Sequence, residues 1–120
     1  MKKVELLAPA GNYSKFLTAM RFGADAVYIG GKNFSLRAFS DNFTDDEMKK
    51  AVKYAHSLGR KVYVTVNIFA RNADLAPCEE YFEFLESIGV DAAIVTDAGL
   101  IAIAKSVAPR LAIHLSTQAN

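Results

Sequence analysis

The chain has 120 residues, a formal net charge of +1 and a hydrophobic fraction of 52%. That composition supplies a core and excludes a disordered chain, while near-neutral charge excludes a polybasic nucleic-acid footprint and an acidic tail. Cys78 is the only cysteine, which excludes an internal disulfide and a cysteine-built metal cage.

The N-terminus carries Lys2 and Lys3 but no long apolar core and no small-residue cleavage site, so no signal peptide is expected. No apolar run approaches a membrane span, and a cytoplasmic protein without membrane contact is the expectation. The clusters Lys2-Lys3, Lys49-Lys50 and Arg60-Lys61 read as solvated faces.

In chain order, Val4 to Ala8 predicts a first strand ended by Pro9-Ala10-Gly11. Asn12 then suits the cap of a helix whose stripe is Tyr13, Phe16, Leu17 and Met20. Gly23 suits the left-handed position just past that helix. The run Ala26 to Ile29 has no polar alternation, as expected of a parallel strand. A long segment from Gly31 to Phe43 follows. Thr44 and Glu47 have the spacing of a capping box, flanked by a Phe43–Met48 staple. The helix so opened is expected to bury Met48, Ala51, Val52, Ala55 and Leu58, and to stop at Gly59.

Lys61 to Asn67 predicts the third strand, with Tyr63, Thr65 and Asn67 sharing a face. Pro77 fits the first turn of a third helix, with a stripe of Cys78, Tyr81, Phe82, Leu85 and Ile88. The phrase Ile88-Gly89-Val90-Asp91-Ala92-Ala93 then repeats Phe22-Gly23-Ala24-Asp25-Ala26-Val27, so one helix-to-strand unit occurs twice. Ala92 to Val95 is the fourth strand, Asp97 can cap a short helix stopped by Pro109, and Leu111 to Ser116 is the fifth strand.

The result is a single α/β domain over 1–120, a parallel (βα)4β unit with its long loops after strands. Two architectures accommodate it. One is the N-terminal half of a TIM-like barrel, whose full form needs about 250 residues. The alternative is a flavodoxin-like open sheet. A polar-tolerant face shared by Glu5, Tyr28, Tyr63, Thr65, Asn67, His114, Ser116 and Gln118 favours the barrel half, within a larger barrel domain. In that form the first and fifth strands are bare edges, and self-association through them is expected.

Candidate site residues cluster after the strands. Arg37 can grip a carboxylate or phosphate, or pair with Asp41 or Glu47; Asn42 in the same loop joins it as substrate-binding. Asn67 and Gln118 end strands, where amides orient a ligand or form a structural network. His114 is the histidine placed for acid–base work, or a satisfied core residue, and Ser116 lies two positions on along the same face. Glu5 would need a buried partner. Asp25 and Asp91 read as acceptors for loop amides, and His56 as a surface residue.

The motif series Glu5-Leu6-Leu7-Ala8-Pro9-Ala10-Gly11-Asn12, Gly23 to Tyr28 with Gly30-Gly31, Phe34 to Ala38, Asn42-Phe43, Val64 to Asn67, Asp91 to Gly99 and Ile113 to Gln118 resembles the collagenase-like peptidases, family U32. The resemblance runs in order along essentially the whole chain. It implies a barrel-like N-terminal domain in a family labelled from collagen-degrading members. Other members are implicated in hydroxylating RNA bases or a quinone precursor, and some hold an iron–sulfur cluster through cysteines. The resemblance therefore implies the N-terminal segment of a U32-type hydrolase acting on a peptide. The alternatives are part of an RNA-base or small-molecule hydroxylation protein, or a non-catalytic fragment; alone the segment is expected to be inactive. No cofactor or metal is expected in this chain, an iron–sulfur cluster being possible only in a longer parent.

Overall fold

The computed structural model describes residues 6–30, 43–66, 75–95 and 98–115, with the side chains of 75–78 outside that description. Among these residues five strands alternate with four helices. They are β1 (Leu7–Pro9), α1 (Tyr13–Arg21), β2 (Ala26–Gly30), α2 (Asp45–Ser57), β3 (Lys61–Val66), α3 (Leu75–Ile88), β4 (Ala92–Val95), α4 (Ala98–Val107) and β5 (Ile113–Leu115). Every pairing is parallel, and the order across the sheet is β1-β2-β3-β4-β5. A doubly wound sheet reverses its order at a switch point and carries helices on both faces. Here there is no reversal, so successive crossovers of one hand deliver every helix to the same side. The flavodoxin-like alternative is set aside, and the (βα)4β half of a TIM-type barrel stands.

Burial shows the same one-sidedness. Val27, Ile29, Val62, Val64, Val66, Ala93 and Val95 share one parity and are each 2% exposed or less. They form one cluster with Phe16 and Met20 of α1, Met48 and Val52 of α2, Phe82 and Leu85 of α3, and Leu100 and Ala104 of α4. Rings tie the first two helices together. Phe16 meets Phe43 at 6.4 Å and Tyr54 at 6.1 Å between centroids, both edge-on.

Local signals place the helices. Asn12 Oδ1 accepts from the Lys15 amide at 2.8 Å, capping α1. Before α2, Thr44 Oγ1 accepts from the Glu47 amide at 3.1 Å, and Glu47 Oε1 accepts from the Thr44 amide at 3.0 Å. Phe43 and Met48, the staple pair, are fully buried. Three helices end in the same paired bonds. Gly23 N–H donates to Met20 and Ala24 to Ala19, Gly59 to His56 and Arg60 to Ala55, Gly89 to Glu86 and Val90 to Leu85. This is the Schellman pattern, which needs a left-handed residue after the helix. Gly23 and Gly89 meet that need at φ 85° and 84°.

Two expectations require correction. Leu58 is not in the core but 45% exposed, because it is the cap of α2 where the Schellman turn swings the chain off the helical stripe. Pro9 does not end β1 but belongs to it. Its missing N–H costs no bond to β2, because the amide that donates to the Tyr28 carbonyl is that of Ala10, the next residue. Val4 and Glu5 lie outside the described residues.

Candidate functional site

The opposite parity of the sheet forms a second, open face. Its described residues run in three register rows, Leu7–Ala26–Lys61, Pro9–Tyr28–Tyr63–Ala92 and Gly30–Thr65–Ile94–His114. Tyr28 is 37% exposed and His114 is exposed, while Tyr63, Thr65 and Ile94 are half-buried. The Tyr63 and His114 rings meet at 6.1 Å between centroids with a 50° tilt, reaching across β4. Ala92 stands between their strands. It and Ala26 are buried yet lie outside the helix-side core. Thr65 Oγ1 donates to the Ile29 carbonyl at 3.3 Å.

In α/β barrels the chemistry gathers at the C-terminal ends of the strands. At that end, the Phe43 amide donates to the Gly30 carbonyl at 3.3 Å, which ties the residue before the cap of α2 to the last residue of β2. The other end of the sheet is given over to structure. Asp91 Oδ2 accepts from the Val62 amide at 2.7 Å and contacts His56 Nε2 at 2.8 Å. Asp25 Oδ2 accepts from the Leu6 amide at 2.9 Å. Both aspartates of the repeated phrase thus stitch the start of a neighbouring strand. Arg60 Nη1 adds a 2.7 Å bond to the Met20 carbonyl.

Of the residues expected to form the site, His114 lies on the open face with Tyr28, Tyr63 and Thr65. Ser116, Arg37, Asn42, Asn67 and Gln118 lie outside the described residues, as does Asp97. The sequence reading missed Ala26, Ala92 and Ile94 as members of this face. Their parity with Tyr28, Tyr63 and His114 was the available signal. It also missed the His56–Asp91 pair, which forms where a helix end meets the repeated aspartate. The donor set does not fit an iron–sulfur cluster, which is held by several thiolates; Cys78 is the chain's only cysteine. Among the described residues no helix is long and apolar enough to cross a membrane.

Comparison with known proteins places this geometry. A tRNA hydroxylation protein (P1) of Bacillus subtilis is 47% identical over 117 residues, covering 98% of this chain and 28% of that protein. A protein of Methanocaldococcus jannaschii, named an uncharacterized protease, is 42% identical, covering 100% of this chain and 29% of its own length. The 23S rRNA 5-hydroxycytidine C2501 synthase of Escherichia coli is 36% identical, covering 98% of this chain and 18% of that enzyme. The chain thus spans under a third of the length of these curated relatives. Among solved structures, the HMG-CoA lyase of Brucella melitensis, a TIM barrel, superposes with a TM-score of 0.63 at 15% identity, over 92% of this chain and 46% of that one. That likeness carries the fold alone. The model for peptidase family U32 matches residues 11–120, and the chain belongs to that family.

Proposed function

We propose that this chain is the N-terminal barrel half of an RNA-base hydroxylation protein and that its part is to bind and orient the RNA. The observation that carries the reading is the 47% identity to a tRNA hydroxylation protein across 98% of the chain. The peptidase reading has behind it the family's name and the printed name of the archaeal relative. The names of the tRNA and rRNA relatives favour the hydroxylation alternative. The substrate end of the sheet would combine the open face with Arg37, Asn42, Asn67 and Gln118. Arg37 would grip a phosphate, and the amides would read base edges. His114 would hold or release a proton beside the bound base, with Ser116 as its neighbour. Such a protein works in the cytoplasm, with its RNA. The test is complementation, in a bacterium lacking its own tRNA hydroxylation protein, by a chimera in which this segment replaces the matching N-terminal part of the Bacillus subtilis relative, followed by mass spectrometry of digested tRNA. The reading predicts nucleosides that regain one oxygen atom. Unchanged tRNA alongside cleavage of gelatin would restore the peptidase reading.

The sheet edges also support self-association. β1 and β5 are the outermost strands, and Leu6, Leu7 and Leu115 are 53%, 48% and 47% exposed there. Two copies would pair edges in a twofold dimer. Light scattering after size exclusion should give twice the 13.1 kDa chain mass. A concentration-independent monomer would refute the pairing.

A further inference from the structure

The interior of a closed barrel is normally plugged by layers of branched aliphatic side chains. The open face of this sheet is built otherwise. Beyond a row of Leu7, Ala26 and Lys61 at the start of the strands, it carries Pro9, Tyr28, Tyr63 and Ala92, and then Gly30, Thr65, Ile94 and His114. Small residues form the floor, and rings with polar tips rise from it. Tyr28 and Tyr63 are register partners on neighbouring strands. Tyr63 reaches His114 over the strand that carries Ala92, and a larger residue there would stand in the way of that 6.1 Å ring contact. Ionisable side chains add a sign. Apart from the tyrosines, the described residues of this face include Lys61 and His114, both basic and exposed, and no carboxylate.

We propose that Tyr63 and His114, with Tyr28 beside them, form a stacking shelf for one unpaired RNA base. This inference rests on the RNA reading above and adds to it the residues that hold the base. Proteins that take single-stranded or flipped bases stack them on Tyr, Phe, Trp or His rings, because every base has a π-face. Among the described residues of this face the formal charge is the positive one of Lys61, which does not oppose a polyanionic ligand. The hydroxyl tip of Tyr28 and the imidazole edge of His114 supply hydrogen bonds at the rim of the shelf. One relative is named for a single cytidine of 23S rRNA, and enzymes that do chemistry on a base act on it unpaired or take it out of the stack.

The test uses fluorescence anisotropy of a labelled RNA hairpin with an unpaired pyrimidine loop, and the same hairpin with abasic loop positions. The intact loop should bind about tenfold or more tightly than the abasic one, the scale of one base–ring stack. Tyr63→Leu keeps the floor covered while removing the ring, and should erase that difference. Tyr63→Phe should keep it, and Tyr54→Leu on the helical side should leave it untouched. Circular dichroism guards against misfolding. Equal binding of the intact loop by the unchanged protein, Tyr63→Leu and His114→Ala would overturn the shelf and leave the RNA reading standing. Absence of binding to either hairpin by the unchanged protein would overturn both.

Discussion

The two faces of one sheet divide the work of this molecule. On the helical side, alternate residues of β2, β3 and β4 are valine, isoleucine and alanine, each 2% exposed or less. On the other side, the residues between them include Tyr28, Tyr63 and Thr65 among small residues and Ile94, with His114 on β5 beside them and Tyr28 at 37% exposure. Strand parity alone separates the sets, so a one-residue slip would exchange core for open face. One-sided winding places the core behind the sheet and, among the described residues, leaves the front free of helices. A doubly wound sheet could not do this, because both of its faces are core.

The comparison can be broken first from behind. Phe16 is fully buried and touches three other rings. Phe16→Ala should cost about 3–5 kcal/mol, from lost burial and the cavity left behind. Urea unfolding measures it. A loss under about 1 kcal/mol would mean that the ring cluster is not a tight core.

A middle-sized effect is expected at the structural end of the sheet. Asp91→Ala removes the acceptor of the Val62 amide and the partner of His56. Leaving that part-buried amide unpaired should cost about 1–3 kcal/mol. Asp91→Asn, which keeps an oxygen acceptor, should recover part of the loss. Identical unfolding of both variants would mean that the amide bond contributes nothing.

The smallest effect belongs to the front. Tyr28→Thr swaps an exposed ring for a good strand former and should change stability by no more than about 0.5 kcal/mol. A cost as large as that of Phe16→Ala would make the open face a second core.

Much of this division was legible in the residues. The capping box at Thr44 and Glu47, the glycine stops and the repeated Asp25 and Asp91 all act locally, so spacing suffices to find them. Period-two alternation put Tyr63, Thr65 and His114 together for the same reason. What was not legible depends on distant partners or on exceptions to period. The Tyr63–His114 contact needs a small residue on the strand between them, a condition set by register and not by either neighbourhood. Leu58 continues the helical stripe of α2, yet the Schellman turn carries it outward. Pro9 reads as a strand breaker and is tolerated because the amide that bonds β2 is that of Ala10, the next residue. Arg37, Asn42, Asn67, Ser116 and Gln118 were chosen for their chemistry, and the described residues do not include them.

The central claim, that the open face is the ligand face, meets its most direct test in tyrosine labelling. Nitration followed by peptide mapping reads all the tyrosines of the chain at once. Tyr28, on the open face, and Tyr54, on the helical side, are 37% and 42% exposed, whereas Tyr81 is 5% exposed. In free protein, Tyr28 and Tyr54 should react and Tyr81 should resist. Adding the RNA hairpin should protect Tyr28 and Tyr63 while Tyr54 goes on reacting. Protection of Tyr54 with Tyr28 and Tyr63 still reactive would put the RNA on the helical side and contradict the account.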